Sequence, residues 1–423
     1  MRSGMHLAHL SLTNFRNFVR LEKDFPIGPT LLVGANAQGK TSLLEAIHYL
    51  SYATSPHTTN DRQLINFLTL QETTPVTRIV AEVRRQDRTF EAVQDRPFDV
   101  AQDRPQRIEI RLILEPAGVV GEQRLRKEVL LNGIKRRVRD LAGLFNAVMF
   151  LPQDMYVIEG PPSERRRTLN DALTQADPTY ADALSEYGKV LSQRNALLKQ
   201  LQERNGDPDE LSFWDEQLCE YAATLVRARA LALSELENLA EPIHQDLTRG
   251  METLRLKYLP SYHPATYSKE QIGLPMDTAV DLTSIGRDAI RSGMSTTLER
   301  TRQEEIARGM TLIGPHRDDF SFLANAIDLR LYGSRGQNRT AMLSLKLAEV
   351  DWLQQRTGEI PVLLLDEVLS ELDTERREDL LTRVNAAQQA ILTAADLGMF
   401  HQDFCKKATM WKIVGGTVSD LGI

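Results

Sequence analysis

The feature that most constrains what this chain can fold into is an eight-residue segment near its N-terminus. The segment follows a short apolar run, TLLV at 30–33, and precedes an amphipathic stretch, SLLEAIHYL at 42–50. It consists of Gly34, Ala35, Asn36, Ala37, Gln38, Gly39, Lys40 and Thr41. Two glycines separated by four residues, with Lys-Thr directly after the second, match the phosphate-binding loop pattern completely, as does the position of the segment between a strand and a helix. The sequence therefore predicts an α/β unit whose first helix begins at a bound phosphate group.

The residue types in this loop also predict the ligand. Its glycines allow backbone N–H groups to close around phosphate oxygens, and the helix N-terminus adds partial positive charge. In such a loop the lysine, here Lys40, reaches the β- and γ-phosphates, and the hydroxyl of Thr41 ligates Mg²⁺. We therefore expect the whole loop to bind ATP together with Mg²⁺.

A second strong pattern lies far along the chain. The aliphatic run VLLL at 362–365 ends in two carboxylates, Asp366 and Glu367. Such a run is typical of a buried strand, here one that delivers two acids to the edge of a site. We expect Asp366 to hold Mg²⁺ through water, and Glu367 to polarise the attacking water as the general base.

Three shorter segments separate this chain from most other proteins with a phosphate loop. The segment 334–337 resembles the signature loop of ABC-type ATPases, which completes the site of the other subunit, so Ser334, Gly336 and Gln337 are expected to contact ATP. Asp373 ends a segment that matches the D-loop, and Gln153 falls where the Q-loop glutamine contacts Mg²⁺ and water. The order of these segments along the chain is improbable by chance.

Apolar periodicity predicts how the elements are arranged. Alternation with a period of two over the first 25 residues, and again at 77–93 and 107–114, predicts strands. From Ser163, a plausible N-cap, to about residue 248, apolar residues recur every three or four positions. Two long helices around a Gly/Pro turn predict an antiparallel helical arm, and a further helix is expected at 287–308.

These elements predict an α/β fold: an ABC/SMC-type P-loop ATPase head with a mixed sheet, split by the helical arm. We expect an N-terminal ATPase lobe at 5–160, the arm at 161–310 and a C-terminal ATPase lobe at 311–423. The tetrapeptide QDRP occurs twice near 92–106, and its charges and prolines predict a disordered surface insertion.

The charge pattern bears on nucleic-acid binding. The net charge of −7 excludes a chain coated in basic residues, but local patches set the field that DNA meets. Residues 124–139 hold seven Lys/Arg against one acid, and form either a DNA footprint or a solvated hairpin face. The candidates for DNA contacts are Arg124, Arg126, Lys127, Lys135, Arg136, Arg137 and Arg139.

No apolar run approaches the roughly 18 residues of a membrane span, and no signal-peptide core is evident at the N-terminus. The two cysteines lack metal-ligand spacing. We therefore expect a cytoplasmic protein without a membrane partner, whose translation starts at either Met1 or Met5.

Within its superfamily the chain resembles the RecF family over nearly its whole length. Besides the phosphate loop, the resemblance is carried by LTNFRNF at 12–18, NDRQLINF at 60–67, FLPQDMYVIEGPPSERRRTLND at 150–171, GPHRDDF at 314–320, SRGQNRT at 334–340 and LLLDEVLSELD at 363–373. Transporter ATPases have a switch histidine at the position of Thr393. A threonine at this position is a further resemblance to the RecF family. The chain departs from the family pattern at His57 (usually arginine), Gln153 (commonly glutamate) and Arg335 (usually glutamine).

The resemblance implies a protein that binds and slowly hydrolyses ATP, forms a homodimer around two nucleotides and binds single-stranded, double-stranded or gapped DNA. It further implies action with RecO and RecR to load RecA in recombinational repair, replication-fork recovery and the SOS response. Two other classes are open on the residues alone. A long-coiled-coil SMC or nuclease-associated ATPase would need a much longer helical insertion. A transporter subunit predicts an uninterrupted ATPase domain and a histidine at position 393.

Overall fold

The computed structural model describes residues 4–72, 74–85, 105–116, 123–204, 206–262 and 282–421. They divide into two compact units. The sheet unit comprises Met1–Asp154 and Leu353–Ile423, and the helical unit comprises Met155–Trp352. The predicted QDRP insertion lies outside the described residues except at 105 and 106. Within the described ranges, no helix is both long and apolar enough to cross a membrane.

The strands are of two kinds: some alternate between more and less buried side chains, as strands with one face on a core do, whereas three strands of the parallel sheet are buried along their whole length. Their bounds in the described ranges are β1 (Met5–Phe15), β2 (Phe18–Asp24), β3 (Gly28–Val33), β4 (Val76–Arg85), β5 (Gln106–Pro116), β6 (Gln123–Leu131), β7 (Ile134–Arg136), β8 (Ala147–Phe150), β9 (Leu254–Leu259), β10 (Asp319–Ala324), β11 (Ile327–Asp328), β12 (Val362–Asp366), β13 (Gln389–Ala394), β14 (Thr409–Val414) and β15 (Thr417–Asp420).

The helices follow the predicted order. Their bounds in the same ranges are α1 (Lys40–Tyr52), α2 (Tyr156–Glu159), α3 (Pro162–Ala176), α4 (Pro178–Arg204), α5 (Leu211–Leu247), α6 (Arg287–Arg308), α7 (Leu329–Tyr332), α8 (Arg335–Thr357), α9 (Thr374–Ala386) and α10 (Gln402–Lys407). Short 3-10 helices lie at Asp61–Leu64, Phe67–Gln71, Val138–Leu141, Pro152–Met155, Pro208–Glu210 and Val368–Glu371.

The sheet unit contains two sheets. One is antiparallel, with the order β2-β1-β4-β5-β6-β7 in the described residues. The other has the order β15-β14-β3-β13-β12-β8 and is parallel except for β15, so the predicted mixed sheet is confirmed. The carboxyl ends of β3, β12 and β13 therefore meet at one edge, which is where ligands bind in open α/β sheets.

One apolar core joins the two sheets of this unit. It includes Leu10 and Ile110 from the antiparallel sheet, Leu43 and Ile47 from α1, and Leu364 from β12. Because α1 contributes buried residues on most of its circumference, it behaves as a core helix and its N-terminus is rigidly placed. The packing of α1 therefore also fixes the end of the phosphate loop that joins its N-terminus.

The helical unit is built on α4 and α5, which pack against each other and against α6. Arg194 of α4 is fully buried and forms ion pairs at 2.7 Å with Asp215 of α5 and at 2.7 Å with Glu305 of α6. A buried cation is tolerated only when it is paired in this way. These ion pairs therefore fix how the three helices are arranged in the arm.

Two details of this unit differ from the sequence prediction. The compact unit continues to Trp352 instead of ending at 310, because the segment after α6 packs within it. The Oγ of Ser344 lies 3.1 Å from His244 Nδ1, and Trp352 donates from Nε1 to Glu235 at 2.7 Å. The predicted N-cap Ser163 is also wrong: α3 begins at Pro162, whose fixed φ suits the first helical position.

Candidate nucleotide-binding site

The phosphate loop connects β3 to α1 in a conformation that its glycines permit. Gly39 has a backbone φ of 115°, in the left-handed region. Gly34 lies so close to β14 that a Cβ there would come within 2.5 Å of the carbonyl oxygen of Ile413. The two glycines are therefore required for different reasons, one for its φ and one for close approach of backbone.

Contacts from two hairpins hold this loop at Gln38. Asn17, between β1 and β2, donates from Nδ2 to the carbonyl oxygen of Gln38 at 2.9 Å. The N–H of Gly416, between β14 and β15, donates to the same oxygen at 3.0 Å. The N–H of Gly415 donates to Gln38 Oε1 at 2.7 Å, so the side chain of Gln38 faces this hairpin. Gln38 can therefore make its predicted contact with ATP only through its backbone.

Replacing Gly39 with alanine should reduce ATP affinity by at least about tenfold, which is about 1.4 kcal/mol. A Cβ at Gly39 would lie 2.5 Å from Asn17 Nδ2, the atom that holds Gln38. Titration of a fluorescent ATP analogue measures the effect. Gly28→Ala is the matched control, because Gly28 also has a left-handed φ, 92°, but its Cβ would meet nothing within 4 Å. Equal losses in both variants would contradict the role of the Asn17 contact.

Lys40 is held at the centre of the loop and is almost fully buried, with 4% of its surface exposed. Its Nζ donates to the carbonyl oxygens of Gly34 at 2.6 Å and Ala35 at 3.0 Å, and lies 3.0 Å from Glu367 Oε1. These three acceptors match the three donors of the ammonium group. The structure thus brings together the predicted phosphate-binding lysine and the predicted general base.

Thr393 organises both predicted acids. Strand pairing places it beside Asp366, and its hydroxyl donates to Asp366 Oδ1 at 2.8 Å. The same hydroxyl accepts the backbone N–H of Glu367 at 2.9 Å. Glu367 itself has a φ of 53°, a left-handed conformation that is costly for glutamate and typical of functional sites. The acids are therefore held by a neighbouring strand and not only by their own.

Thr41 and Asp366 fit a magnesium site. The hydroxyl of Thr41 lies 3.0 and 2.9 Å from the two carboxylate oxygens of Asp366. Burial raises the pKa of the Asp366 carboxyl, although hydrogen bonds from Thr393 and Thr41 oppose the rise. A partly buried carboxylate of this kind is stabilised by a cation. Mg²⁺ prefers oxygen ligands and usually binds through one or two protein groups, water and substrate phosphates.

A cavity of about 560 Å³ lies over the loop and extends beyond the predicted residues. Besides loop residues and Glu367, it is lined by Arg16, Gln63 and Phe67. Arg16 is fixed by two bonds to Glu45 of α1, from Nε at 2.8 Å and from Nη2 at 2.7 Å. Sequence reasoning missed these residues as ligand contacts, although they lie in the family-like segments 12–18 and 60–67.

Gln153 and Asp373 also lie in the sheet unit. Gln153 is in the 3-10 helix after β8, and its Nε2 lies 3.0 Å from Nδ1 of His57. Asp373 is the N-cap of α9, where its Oδ1 accepts the backbone N–H of Arg376 at 3.0 Å. Capping accounts for an aspartate at 373 without any ligand, so its predicted contact with ATP stays a prediction.

The signature segment belongs to the helical unit and forms a capping box at the start of α8. Gln337 N–H donates to Ser334 Oγ at 3.2 Å, and Ser334 N–H donates to Gln337 Oε1 at 2.9 Å. Nε2 of Gln337 is tied to Glu252 at 2.8 Å. Ser334 and Gly336 are exposed at this helix N-terminus, where a negative charge is favoured.

The basic hairpin does not present its seven charges on one surface. Arg126 lies with Glu115 and Glu128, whereas Lys127 points the other way, towards Asp61 at 2.7 Å and the ring of Tyr49. This division follows from strand periodicity, which sends successive side chains to opposite faces.

Most of the other basic side chains of this hairpin are exposed. Lys135, paired with Glu128 at 2.7 Å, is exposed, as are Arg136 and Arg137. Arg124 is exposed in register with Glu115, and Arg139 lies in the 3-10 helix that follows β7. The acids Glu115 and Glu128 offset part of the footprint, so the exposed end of the hairpin is its strongest basic part.

Comparison with known proteins identifies the family. The family model described as RecF/RecN/SMC N terminal domain matches residues 6–413. The DNA replication and repair protein RecF of Exiguobacterium sp. is 37% identical over 98% of this chain and 99% of its own length. The chain belongs to the RecF family. RecF of Bacillus subtilis is 36% identical over 98% of this chain and 100% of its own length.

Solved structures agree with this membership. A structure of the recombination mediator protein RecF with ATP, in the RecFOR pathway, matches with a TM-score of 0.81 at 30% identity. The match covers 100% of this chain and 99% of that one. An Smc head domain from Pyrococcus furiosus matches with a TM-score of 0.50 at 15% identity over 99% and 96%, which supports the fold alone. The RecF/SMC-type ATPase head, with its helical insertion, is thus confirmed.

Proposed function

We propose that this RecF-family chain is an ATP-dependent DNA-binding protein of recombinational repair and replication-fork recovery, in which ATP drives dimerisation on DNA. One observation carries the proposal: Lys40, Thr41, Asp366 and Glu367 meet at one edge of the parallel sheet. A phosphate-binding lysine, a metal-directed pair and a carboxylate base together suit nucleotide hydrolysis. The RecF structure with ATP, which covers the full length of this chain, supports the ligand.

The ion pair between Lys40 and Glu367 suggests how the site responds to ATP. In the structure Lys40 Nζ lies 3.0 Å from Glu367 Oε1, so the carboxylate is engaged by the ammonium group. A γ-phosphate bound at Lys40 would compete for the ammonium group and free Glu367 to accept a proton from the attacking water. Hydrolysis would thus begin only after the phosphate is in place. Thr41, Asp366 and Gln153 would hold Mg²⁺, which when bound would neutralise part of the phosphate charge.

The signature segment completes this site in a homodimer. Ser334 and the exposed N-terminus of α8 provide a hydroxyl, free backbone donors and a favourable helix dipole. These groups suit the γ-phosphate of ATP bound by a second copy, and Asp373 follows the acid pair as the D-loop. ATP then links two copies, and hydrolysis separates them.

DNA binding and partner binding complete the proposal. Dimerisation doubles every basic patch, so a chain with a net charge of −7 can bind single-stranded, double-stranded or gapped DNA locally. The RecFOR pathway named for the solved relatives supports partners of the RecO and RecR type. By family membership we extend this to RecA loading and the SOS response, as a cytoplasmic protein.

Replacing Lys135, Arg136 and Arg137 together with alanine should weaken DNA binding at every sequence alike. On duplex DNA each phosphate contact contributes about 0.9 to the slope of log affinity against log salt concentration. Removal of three contacts should therefore reduce the magnitude of that slope by about 2 to 3. Fluorescence anisotropy with ATP at several salt concentrations measures this. ATP affinity should be unchanged, because the hairpin lies outside the nucleotide cavity.

Lys127→Ala is the matched control on the same hairpin. Lys127 is engaged by Asp61 and the carbonyl oxygen of Ala53, so its removal should lower the melting temperature and leave the salt slope intact. A slope that the triple variant leaves unchanged would show that the hairpin is a solvated face. A loss restricted to some sequences would indicate base readout instead of phosphate contact.

A further inference from the structure

The side-chain amide of Gln153 is oriented by a histidine from another part of the sheet unit. Its Nε2 lies 3.0 Å from Nδ1 of His57. An amide nitrogen can only donate, so Nδ1 must accept and the neutral ring carries its proton on Nε2. The contact therefore uses the nitrogen end of the amide and leaves Oε1 as the end available to a ligand.

His57 is itself held by α1. The Oγ of Ser55 accepts the backbone N–H groups of His57 at 3.0 Å and Thr58 at 3.1 Å. Ser55 in turn donates to Glu45, a buried residue of α1 that is also paired with Arg16. The turn that carries His57 is thus fixed to the same helix that begins at Lys40. A residue placed this rigidly can define the orientation of its partner.

Strand pairing places Gln153 at the same sheet edge as Asp366: Phe150 at the end of β8 is in register with Leu365 of β12, and the 3-10 helix that carries Gln153 follows β8 directly. The pair His57–Gln153 therefore belongs to the metal-directed side of the site, together with Thr41 and Thr393. An amide that is not anchored can rotate and present N–H groups to a cation, which Mg²⁺ cannot use because it takes oxygen ligands.

We propose that His57 is a positioning residue: by accepting from Gln153 Nε2, it presents Gln153 Oε1 to the divalent cation that accompanies the nucleotide. This inference rests on the proposed function, since it assumes that the site binds ATP with Mg²⁺. It assigns His57 no contact with the nucleotide. Outer-shell partners of metal ligands typically contribute about 10- to 100-fold in metal affinity.

The test measures metal affinity without turnover. Mn²⁺ binding in the presence of a non-hydrolysable ATP analogue is followed by electron paramagnetic resonance of the free ion. His57→Leu should weaken Mn²⁺ binding at least about tenfold, and His57→Asn should restore most of it because Asn Oδ1 supplies an acceptor near the position of Nδ1. Binding of the analogue in EDTA and the melting temperature should change little. His401→Leu, at a side chain that is 81% exposed, is the control.

A double-mutant cycle makes the test specific. If His57 acts through Gln153, the variant with both His57→Leu and Gln153→Ala should bind Mn²⁺ no more weakly than Gln153→Ala alone. Unchanged Mn²⁺ affinity in His57→Leu, or losses that add in the double variant, would overturn the inference. Failure of the proposed function would differ, because the wild-type chain would then not bind the analogue at all.

Discussion

Lys40→Ala should reduce ATP affinity about 100-fold while the chain still folds. Lys40 is buried in the loop and satisfied there by two carbonyl oxygens and Glu367, all weaker attractions than a triphosphate. A charge-assisted hydrogen bond to phosphate contributes about 1.5 to 3 kcal/mol, and two of them exceed a 100-fold change in affinity. Isothermal titration with ATP measures the loss.

A thermal melt without nucleotide separates ligand binding from folding in this variant. Burying the ammonium group costs desolvation energy, and its partner Glu367 is 36% exposed and can be hydrated once Lys40 is removed, so the variant should keep a cooperative melting transition. Lys412→Ala, at an exposed lysine of β14, should leave both ATP affinity and melting unchanged. Retained ATP affinity in Lys40→Ala would show that Lys40 does not bind the triphosphate.

Glu367→Gln should abolish hydrolysis and preserve binding. Glutamine keeps the shape of the side chain but cannot accept the proton of the attacking water, so turnover should fall about 100- to 10,000-fold. Losing the carboxylate also removes the ion pair that competes with phosphate for Lys40, so ATP affinity should stay constant or rise. Phosphate release and ATP titration on the same preparation give both quantities.

Glu378→Gln is a suitable control, since Glu378 is an exposed acid of α9 that lies outside the loop and the D-loop segment. It should hydrolyse ATP at the wild-type rate. Hydrolysis that survives in Glu367→Gln would assign the base to another group and leave the left-handed backbone at Glu367 without a catalytic explanation.

The sequence predicts the local parts of this site well because their patterns are local. One pattern is a glycine-rich turn before an amphipathic helix, and the other is an aliphatic run that ends in two acids. Each pattern lies within one short segment and indicates both the conformation and the chemistry of that segment. The long arm is also visible, because the three- and four-residue spacing of α4 and α5 has no other interpretation.

The sequence could not predict contacts that depend on tertiary pairing. Asn17 holds Gln38, and Thr393 holds Asp366, only because strands distant in the chain become neighbours. The departures from the family pattern at His57 and Gln153 looked independent, yet their side chains lie 3.0 Å apart. A single sequence carries no signal of that coupling.

The basic hairpin shows a different limit. Counting charges along 124–139 ignores strand parity, which places Lys127 against α1 and Arg126 beside Glu128. Similarly, motifs predict an ATPase lobe from residue 311 onwards, whereas packing groups the chain up to Trp352 with the helical unit. Motifs identify chemistry, whereas compact units follow from side-chain packing.

The most direct test of the central claim, that ATP joins two copies through a composite site, is the molar mass of Glu367→Gln in solution. Multi-angle light scattering after size exclusion should give twice the mass of the 47.8 kDa chain with ATP, and a single chain with ADP or without nucleotide. Adding Ser334→Arg to the same variant should preserve ATP binding and abolish the dimer, because the arginine obstructs the exposed signature segment. A mass that is independent of nucleotide, or a dimer that tolerates arginine at Ser334, would contradict the account.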